Sequence, residues 1–214
     1  MEDKMQKMPE LETKRLIIRP FKTEDLEAAH RLFDVELREA DFGSDKMETV
    51  EERADWLQWA ARNDTQLAKL YQPPYGDRAI ILKFNKELIG ACGFVPCLNA
   101  FEQIPSFAPE GHSRSPGCNT PEFGLFYAIS PSYQGQGYAT EAAQTLVDYA
   151  FQQLHLKRII AETNYDNLAS INVMKKLGMR IETNPGSAPA WLQVVGVLEN
   201  QTRDTGRPAS EQIV

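Results

Sequence analysis

The stretch Tyr133-Gln134-Gly135-Gln136-Gly137-Tyr138-Ala139-Thr140-Glu141-Ala142 decides how the chain is read. An apolar run, Phe123 to Ile129, precedes it, and a helical pattern follows directly. An extended segment therefore ends at the turn Ser130-Pro131-Ser132, and a glycine-containing loop opens a helix. Such a loop presents several backbone N–H groups in one direction, and the helix dipole adds partial positive charge at the same place. Phosphate or pyrophosphate is the ligand that suits it. Taken alone, Gly135 and Gly137 fit a tight turn before a surface helix just as well, so the flanking sequence has to decide.

Downstream, Ala139, Ala142, Ala143, Leu146, Val147, Ala150, Phe151 and Leu154 recur at spacings of three and four, a helical stripe. Arg158 to Ala161 reads as a short buried strand. Asn167 or Ser170 starts another helix, with Ile171, Met174 and Leu177 on one face and Gly178 as its stop. Met179 to Glu182 begins a strand, Pro185 to Pro189 is a loop, and Trp191 to Leu198 is a last strand. Upstream, Leu11 to Phe21 reads as one strand. Thr23 caps a helix from about Glu24 to Leu37, and His30 on its apolar side reads as a core-edge residue. Asp41 to Lys46 is a connection. Thr49 and Glu52 make a capping box for a second helix, whose apolar face is Val50, Ala54, Leu57, Ala60 and Ala61. Trp56 and Trp59 on that helix read as packing, or as the border of a substrate cleft. Ala79 to Leu82 and Leu88 to Val95 form a hairpin across Asn85-Lys86, with Gly90 and Gly93 marking a bulge or a close backbone approach.

Leu98 to Thr120 differs in character, with three prolines, two glycines, Phe101 and Phe107. A loop this long in a compact domain is functional or disordered as a rule. It reads as an insertion between two strands of one sheet, packed partly onto the body as a lid or a partner contact. The expected organisation is a flexible lead over residues 1–10, one domain over 11–198 with an insertion at about 98–120, and a polar tail over 199–214.

The chain has 214 residues, 42% of them hydrophobic and 25% charged, as in an ordinary globular protein able to bury a core. No apolar run approaches the length of a membrane span, and residues 1–10 carry no signal-peptide apolar region, so the expectation is a cytoplasmic protein with no membrane contact. A net charge of −7 argues against a nucleic-acid partner and is compatible with a cationic substrate such as an amine. Cys92, Cys97 and Cys118 match no zinc spacing and are odd in number, and His30, His112 and His155 are scattered. No metal is expected, and the cysteines read as reduced and structural.

The segments Glu122-Phe123-Gly124, Ser130 to Ala142, Asn167-Leu168-Ala169-Ser170 and Lys176-Leu177-Gly178-Met179 together resemble the GNAT superfamily of acyl-CoA-dependent N-acetyltransferases. Within it, the chain looks most like the branch that acetylates N-terminal amines of ribosomal proteins, the Rim type. The opening Leu11 to Pro20 also looks like that branch's first strand. The likeness covers about Leu11 to Leu198, without the 98–120 insertion or the tail. It implies an α/β (α+β) fold. The mixed, twisted sheet would have about seven strands, be splayed in the middle and carry helices on both faces. It also implies acetyl-CoA as donor, with the pantetheine arm entering between the strand that ends near Ile129 and the strand at Arg158 to Ala161. The family's phosphate-binding pattern falls on Gln134, Gly137 and Ala139, and Gly135, Gln136, Tyr138 and Thr140 offer further contacts. Backbone of Tyr127, Ala128 and Ile129 is expected along the arm, a strand N–H there meeting the acetyl oxygen.

The chemistry is attack of a neutral amine on a thioester carbonyl. It needs a deprotonated amine, stabilisation of the oxyanion and a proton for the thiolate. By resemblance, Glu122 is the candidate base, directly or through a water; otherwise it is a salt-bridged strand residue. Many superfamily members supply the thiolate proton from a helix tyrosine, but here that position is Met174, which cannot donate. The Rim-like branch places a serine where Ser170 stands, so Ser170 is the candidate acid and Asn167 a pantetheine contact; either also suits a helix cap. The acceptor is a protein N-terminus or a small amine such as an amino acid, a polyamine or an aminoglycoside. The demand on the base depends on which. An α-amine of pKa about 8 is about a tenth neutral at pH 7, and a lysine of pKa about 10.4 far less. The rival readings are a non-catalytic acyl-CoA sensor on the same fold and a dinucleotide-binding domain. The latter is disfavoured because the loop is not Gly-x-Gly-x-x-Gly and comes late in the chain. A monomer or a homodimer is expected.

Overall fold

The structure is a computed structural model that describes residues 7–38, 48–107, 118–186 and 188–201. The expected connection at Asp41 to Lys46, the 108–117 part of the insertion with His112, and most of the lead and tail lie outside the described residues.

Among the described residues, eight strands form one mixed sheet in the order β1-β2-β3-β4-β5-β6-β8-β7. They are β1 (Leu11–Glu12), β2 (Leu16–Pro20), β3 (Gly76–Leu82), β4 (Leu88–Asn99), β5 (Thr120–Ile129), β6 (Arg158–Thr163), β7 (Arg180–Thr183) and β8 (Val194–Glu199). The expected mixed sheet is borne out, with one strand more than the seven counted. The extra strand arises because Leu11 to Phe21 is a hairpin and not a single strand. The Thr13 hydroxyl accepts from the Leu16 N–H at 2.8 Å and turns the chain there. All neighbours are antiparallel except β5 and β6, which are parallel and share one ladder pair, Gly124 with Ile160.

Among the described residues, four α-helices cover the two faces. The first, α1 (Leu26–His30), is preceded by a 3-10 turn at Thr23–Asp25 and followed by a π-helical turn at Arg31–Glu36. The expected continuous helix therefore changes its winding twice. Its start is not capped by Thr23; instead the Asp25 carboxylate accepts from the Lys22 N–H at 2.8 Å. The second, α2 (Val50–Lys69), has the expected capping box, with Thr49 N–H to Glu52 at 2.9 Å and Glu52 N–H to the Thr49 hydroxyl at 3.2 Å. Trp56 packs edge-on against Phe21 and Phe33, whereas Trp59 is exposed, so the two indoles do not act as a pair. The others are α3 (Tyr138–Gln152) and α4 (Leu168–Lys176).

One core lies between the sheet and α3/α4, where the stripe Ala142, Ala143, Leu146, Val147 and Ala150 is buried. Each large aliphatic side chain there contributes about 1.5–3 kcal/mol. A second core lies under α1 and α2 around Phe21, Leu32, Leu57 and Ala128. A third covers β6 and β8 on this second face. It is built by Phe101 and Ile104 from the segment after β4, against Ile160, Leu192, Val195 and Val197.

Beneath α2, Arg53 donates to both oxygens of Asp34 at 2.8 Å and lies over the rings of Phe33 and Trp56. Asp77 on β3 stands near the same guanidinium without a hydrogen bond from it among the described residues. Burial pushes its carboxyl up to about 6, with Arg53 only partly opposing. A carboxyl raised in this way favours the folded state while protonated, and the contribution is lost as pH climbs from about 4 to about 6. Asp77→Asn should therefore raise the melting temperature above pH 6, by a stability gain of at most about 3 kcal/mol. The gain should shrink below pH 4, as read by thermal melts across that range.

Candidate active site

The loop over Gln134 to Gly137 follows β5 and starts α3. Gly135 (φ +75°) and Gly137 (φ +82°) are both left-handed, and Gly137 is the helix N-cap. No side chain caps α3, so the N–H groups of Tyr138, Ala139 and Thr140 have neither an earlier helical turn nor a cap to accept them. A Cβ on Gly135 would meet nothing within 4 Å, so the loop's outer side is open. A helix terminus rich in free backbone donors is the kind of site that suits a phosphate or pyrophosphate.

The loop is braced from a distant part of the chain. The Arg15 guanidinium donates to the Gln136 carbonyl at 3.0 Å and to Glu141 at 2.7 Å, and it lies 4.1 Å over the Tyr138 ring. Glu141 also accepts from the Arg15 N–H at 3.0 Å and the Thr13 hydroxyl at 2.5 Å. Burial alone would raise this carboxyl, but the Thr13 and Arg15 bonds outweigh it and hold it below the usual range. Glu141 thus stays ionised in the first turn of α3, neutralised by Arg15. The Gln134 side chain does not point outward; its amide donates to the Ile129 carbonyl at 2.9 Å and closes the loop onto the end of β5.

Beyond Gly124, β5 has no ladder partner on its β6 side among the described residues. The strand edge carrying Tyr127, Ala128 and Ile129 therefore borders a gap between the parting strands. At its far side begins α4. Asn167 is the N-cap, its carbonyl oxygen accepting from the Ser170 N–H at 3.0 Å. The Ser170 hydroxyl is 3.0 Å from the Tyr127 hydroxyl, which also donates to the Ser170 carbonyl at 3.1 Å. Burial raises the Tyr127 phenol, against the Ser170 bond, so it stays protonated and can donate. Met174 is fully buried in the core and takes no part.

Glu122 lies on the opposite face of β5 from Tyr127, beside Cys97 of β4. Arg158 of β6 grips both its oxygens, and the guanidinium lies 4.3 Å over the Phe107 ring. With Tyr75, Pro121, Phe123 and Lys157, the pair lines an open cleft of about 370 Å³ at the starting ends of β5 and β6. The anion loop and Ser170 lie at the opposite ends of these strands. The sequence-derived residues therefore form two groups. Gln134 to Thr140, Asn167, Ser170 and the Tyr127–Ile129 edge surround the open end of the strands, and Glu122 sits nearer their closed end. Among the described residues no group of three or more His, Cys, Asp or Glu could hold a metal ion, and no helix is long and apolar enough to cross a membrane.

The chain is matched by known proteins. The acetyltransferase (GNAT) domain family matches residues 15–180. The chain belongs to the GNAT acetyltransferase family. It is accordingly an N-acetyltransferase, and the donor the family uses is acetyl-CoA. The chain is 33% identical over 175 residues to the uncharacterized N-acetyltransferase YoaA of Bacillus subtilis, covering 81% of this chain and 84% of YoaA. It is 47% identical over 66 residues to the uncharacterized N-acetyltransferase YnaD of the same organism, a match spanning 31% of this chain and 38% of YnaD. The fold is similar to that of the ribosomal-protein-S5-alanine acetyltransferase of Vibrio fischeri. That match has a TM-score of 0.62 and 16% identity, and covers 91% of this chain and 98% of that one.

Sequence reasoning missed the bracing of the loop by Thr13 and Arg15, the Tyr127 side chain and the partner of Glu122. Each depends on a contact between residues far apart in the chain, and only the acidic residue in the first turn of α3 was a local hint. Because three bonds converge on Glu141, Glu141→Gln should weaken CoA binding by about five- to tenfold, equivalent to about 1–1.4 kcal/mol. Titration calorimetry would read it, with Lys175→Gln on the far end of α4 as a control that leaves affinity unchanged.

Proposed function

We propose that the protein transfers the acetyl group of acetyl-CoA to a primary amine by direct attack on the thioester, with a protein N-terminal amine as the acceptor. The observation that carries this reading is the gap between β5 and β6, flanked by a donor-rich helix terminus on one side and the Tyr127–Ser170 pair on the other. The pyrophosphate would lie on the backbone of Gly135 to Thr140, and the pantetheine along the unpaired edge of Tyr127, Ala128 and Ile129 toward Asn167. A strand N–H from that edge would receive the acetyl oxygen as it gains charge, the interaction worth most in acyl transfer. The likeness to the S5-alanine acetyltransferase fold and to the Rim-type motifs supports the N-terminal acceptor. A small-molecule amine is the alternative.

Ser170 is the group that faces the leaving thiolate in this reading. Tyr127 positions it: with the phenol donating to the serine oxygen or carbonyl, the serine hydroxyl proton is left to point at the sulfur. A thiolate is a tolerable leaving group, since thiols titrate at about 8.5, so the help required is modest.

The test is thiol release from acetyl-CoA with an alanine-initiated hexapeptide and with spermidine. Turnover of the peptide in preference to spermidine supports the reading. Turnover of spermidine alone moves it to the small-molecule alternative, and CoA binding without turnover of any amine overturns it. Ser170→Ala should lower kcat about 10- to 100-fold and Tyr127→Phe less, with the double variant no worse than Ser170→Ala. Both losses should shrink with an acetyl thioester of a more acidic thiol, which leaves without assistance.

A further inference from the structure

Two carboxylates stand on the acceptor-side face of β5 and β6, and their surroundings differ. Glu122 is fully engaged, both oxygens held by Arg158 and its side chain 8% exposed. A carboxylate in that state has neither oxygen free for a further ligand. Glu162 lies on β6, two residues beyond the Gly124–Ile160 pair and on the same face, where the strands begin to part. Its Oε2 accepts from the Asn99 amide at 2.8 Å, while its Oε1 is shut off from solvent and has no hydrogen bond of normal geometry, the weakly donating Cys97 thiol being its neighbour. Among the described residues no cation pairs with it. Burial raises its carboxyl, against the Asn99 and Cys97 contacts.

Gly124 makes this arrangement possible. A Cβ there would come within 2.4 Å of the Cys97 sulfur and 2.8 Å of the Val95 side chain, so only glycine leaves room for the Cys97 thiol above the strand. Cys97 is itself raised by burial and by Glu162, and stays a thiol. From the rim inward, the exposed Trp191 indole donates to Asn99 at 3.0 Å, and Asn99 donates to Glu162. A buried carboxylate oxygen without a partner is costly, and a cationic or N–H-bearing ligand would relieve the cost.

Resting on the acetyltransferase reading above, we propose that Glu162, held by Asn99 and backed by Cys97, meets the acceptor amine and takes its proton, while Glu122 with Arg158 serves as the strut beneath it. The ligand class is a primary alkylamine, arriving past the Trp191 face, which favours a cation. In the step, the amine lone pair forms the N–C bond to the thioester carbonyl and an N–H proton passes to Glu162 Oε1. The C–S bond breaks with its electron pair on sulfur, and the thiolate is protonated from the Ser170 side of the sheet. Among the described residues, the other charged groups on this face of β5, β6 and β8 are Glu122 and Arg158, which pair with each other, and Glu199, which stands opposite Arg158. Glu182 on β7, in the same row through Val195, is occupied by Ser106 and Arg180.

The experiment compares Glu162→Gln with Glu122→Gln in the full chain, using thiol release from acetyl-CoA with the alanine-initiated peptide and spermidine, plus CoA binding and thermal melts. Glu162→Gln should lower kcat/KM for the amine at least about 100-fold with CoA affinity unchanged. In the wild type, log kcat/KM against pH should steepen from slope one to slope two below the Glu162 pKa, because both the amine and the carboxylate must lose a proton; in Glu162→Gln the slope should stay at one. The melts supply a readout without turnover. A carboxyl raised by burial destabilises the fold once ionised, so Glu162→Gln should melt higher than wild type at neutral pH, whereas Glu122→Gln strands Arg158 and should melt lower. Wild-type turnover that survives in Glu162→Gln within a few-fold, or a slope of two that persists there, overturns the proposal and leaves the acetyltransferase reading intact. A wild-type protein that binds CoA and acetylates neither probe overturns both.

Discussion

One ladder pair, Gly124 with Ile160, holds β5 to β6, and the site depends on where that pairing stops. Parallel strands that paired along their whole length would satisfy their backbone groups and close the sheet. Here the two strands part toward their C-terminal ends, the same ends from which the α3 loop and α4 start. The gap, the uncapped helix terminus and the Tyr127–Ser170 pair therefore converge without any long-range adjustment of the helices. At the closed end, Arg158 and Glu122 lock the first residues of β6 and β5 together, which keeps the parting local.

The donor loop illustrates how a small local motif is held by distant parts of the chain. Its left-handed glycines and open outer side give it the shape to receive an anion, but those features also leave it without side-chain contacts of its own. The rigidity comes from the β1–β2 turn, where Thr13 and Arg15 reach Glu141, more than 120 residues further on. Glu141 would oppose an anion were its charge free. Pairing with Arg15 removes that conflict and leaves a net donor surface. The split of Leu11 to Phe21 into two strands is thus part of the same device, since an unbroken strand would not present Thr13 and Arg15 together.

This explains what the sequence could and could not reveal. The loop, the α3 stripe, the Thr49–Glu52 box and the Asn167 cap rest on neighbours within a few residues, and all were legible. So was the mixed, splayed sheet, through motifs occurring in the right order. The extra strand was not, because the turn at Thr13 is stabilised by its own hydroxyl and by a residue in a helix far along the chain. Nor was the role of the Tyr127 side chain, which depends on α4 being brought 43 residues back onto β5. The state of Glu122 was hidden for a related reason. As a strand carboxylate it reads equally as a base or as a salt-bridge partner, and the parallel register that sets Arg158 beside it does not appear in local pattern.

In the proposed mechanism the sheet also divides the reaction's protons between its two faces. On the α3/α4 face, residues of odd number on β5 pack into the larger core, and Tyr127 among them meets Ser170. On the other face, Glu122 and the space over Gly124 meet Cys97, Asn99 and Glu162 beneath the segment bearing Phe101 and Ile104. A thioester lying in the gap would have its sulfur toward the hydroxyl pair and its carbonyl carbon open to the carboxylate side. Separation of the two protons follows from the pleat itself, since alternate residues of a single strand must point to opposite faces. The α4 position at which the resemblance leads one to expect a tyrosine holds Met174, buried in the core, and a phenol on the strand stands against the serine instead. The same strand position that carries the phenol on one side thus fixes, by alternation, which residues can stand on the acceptor side.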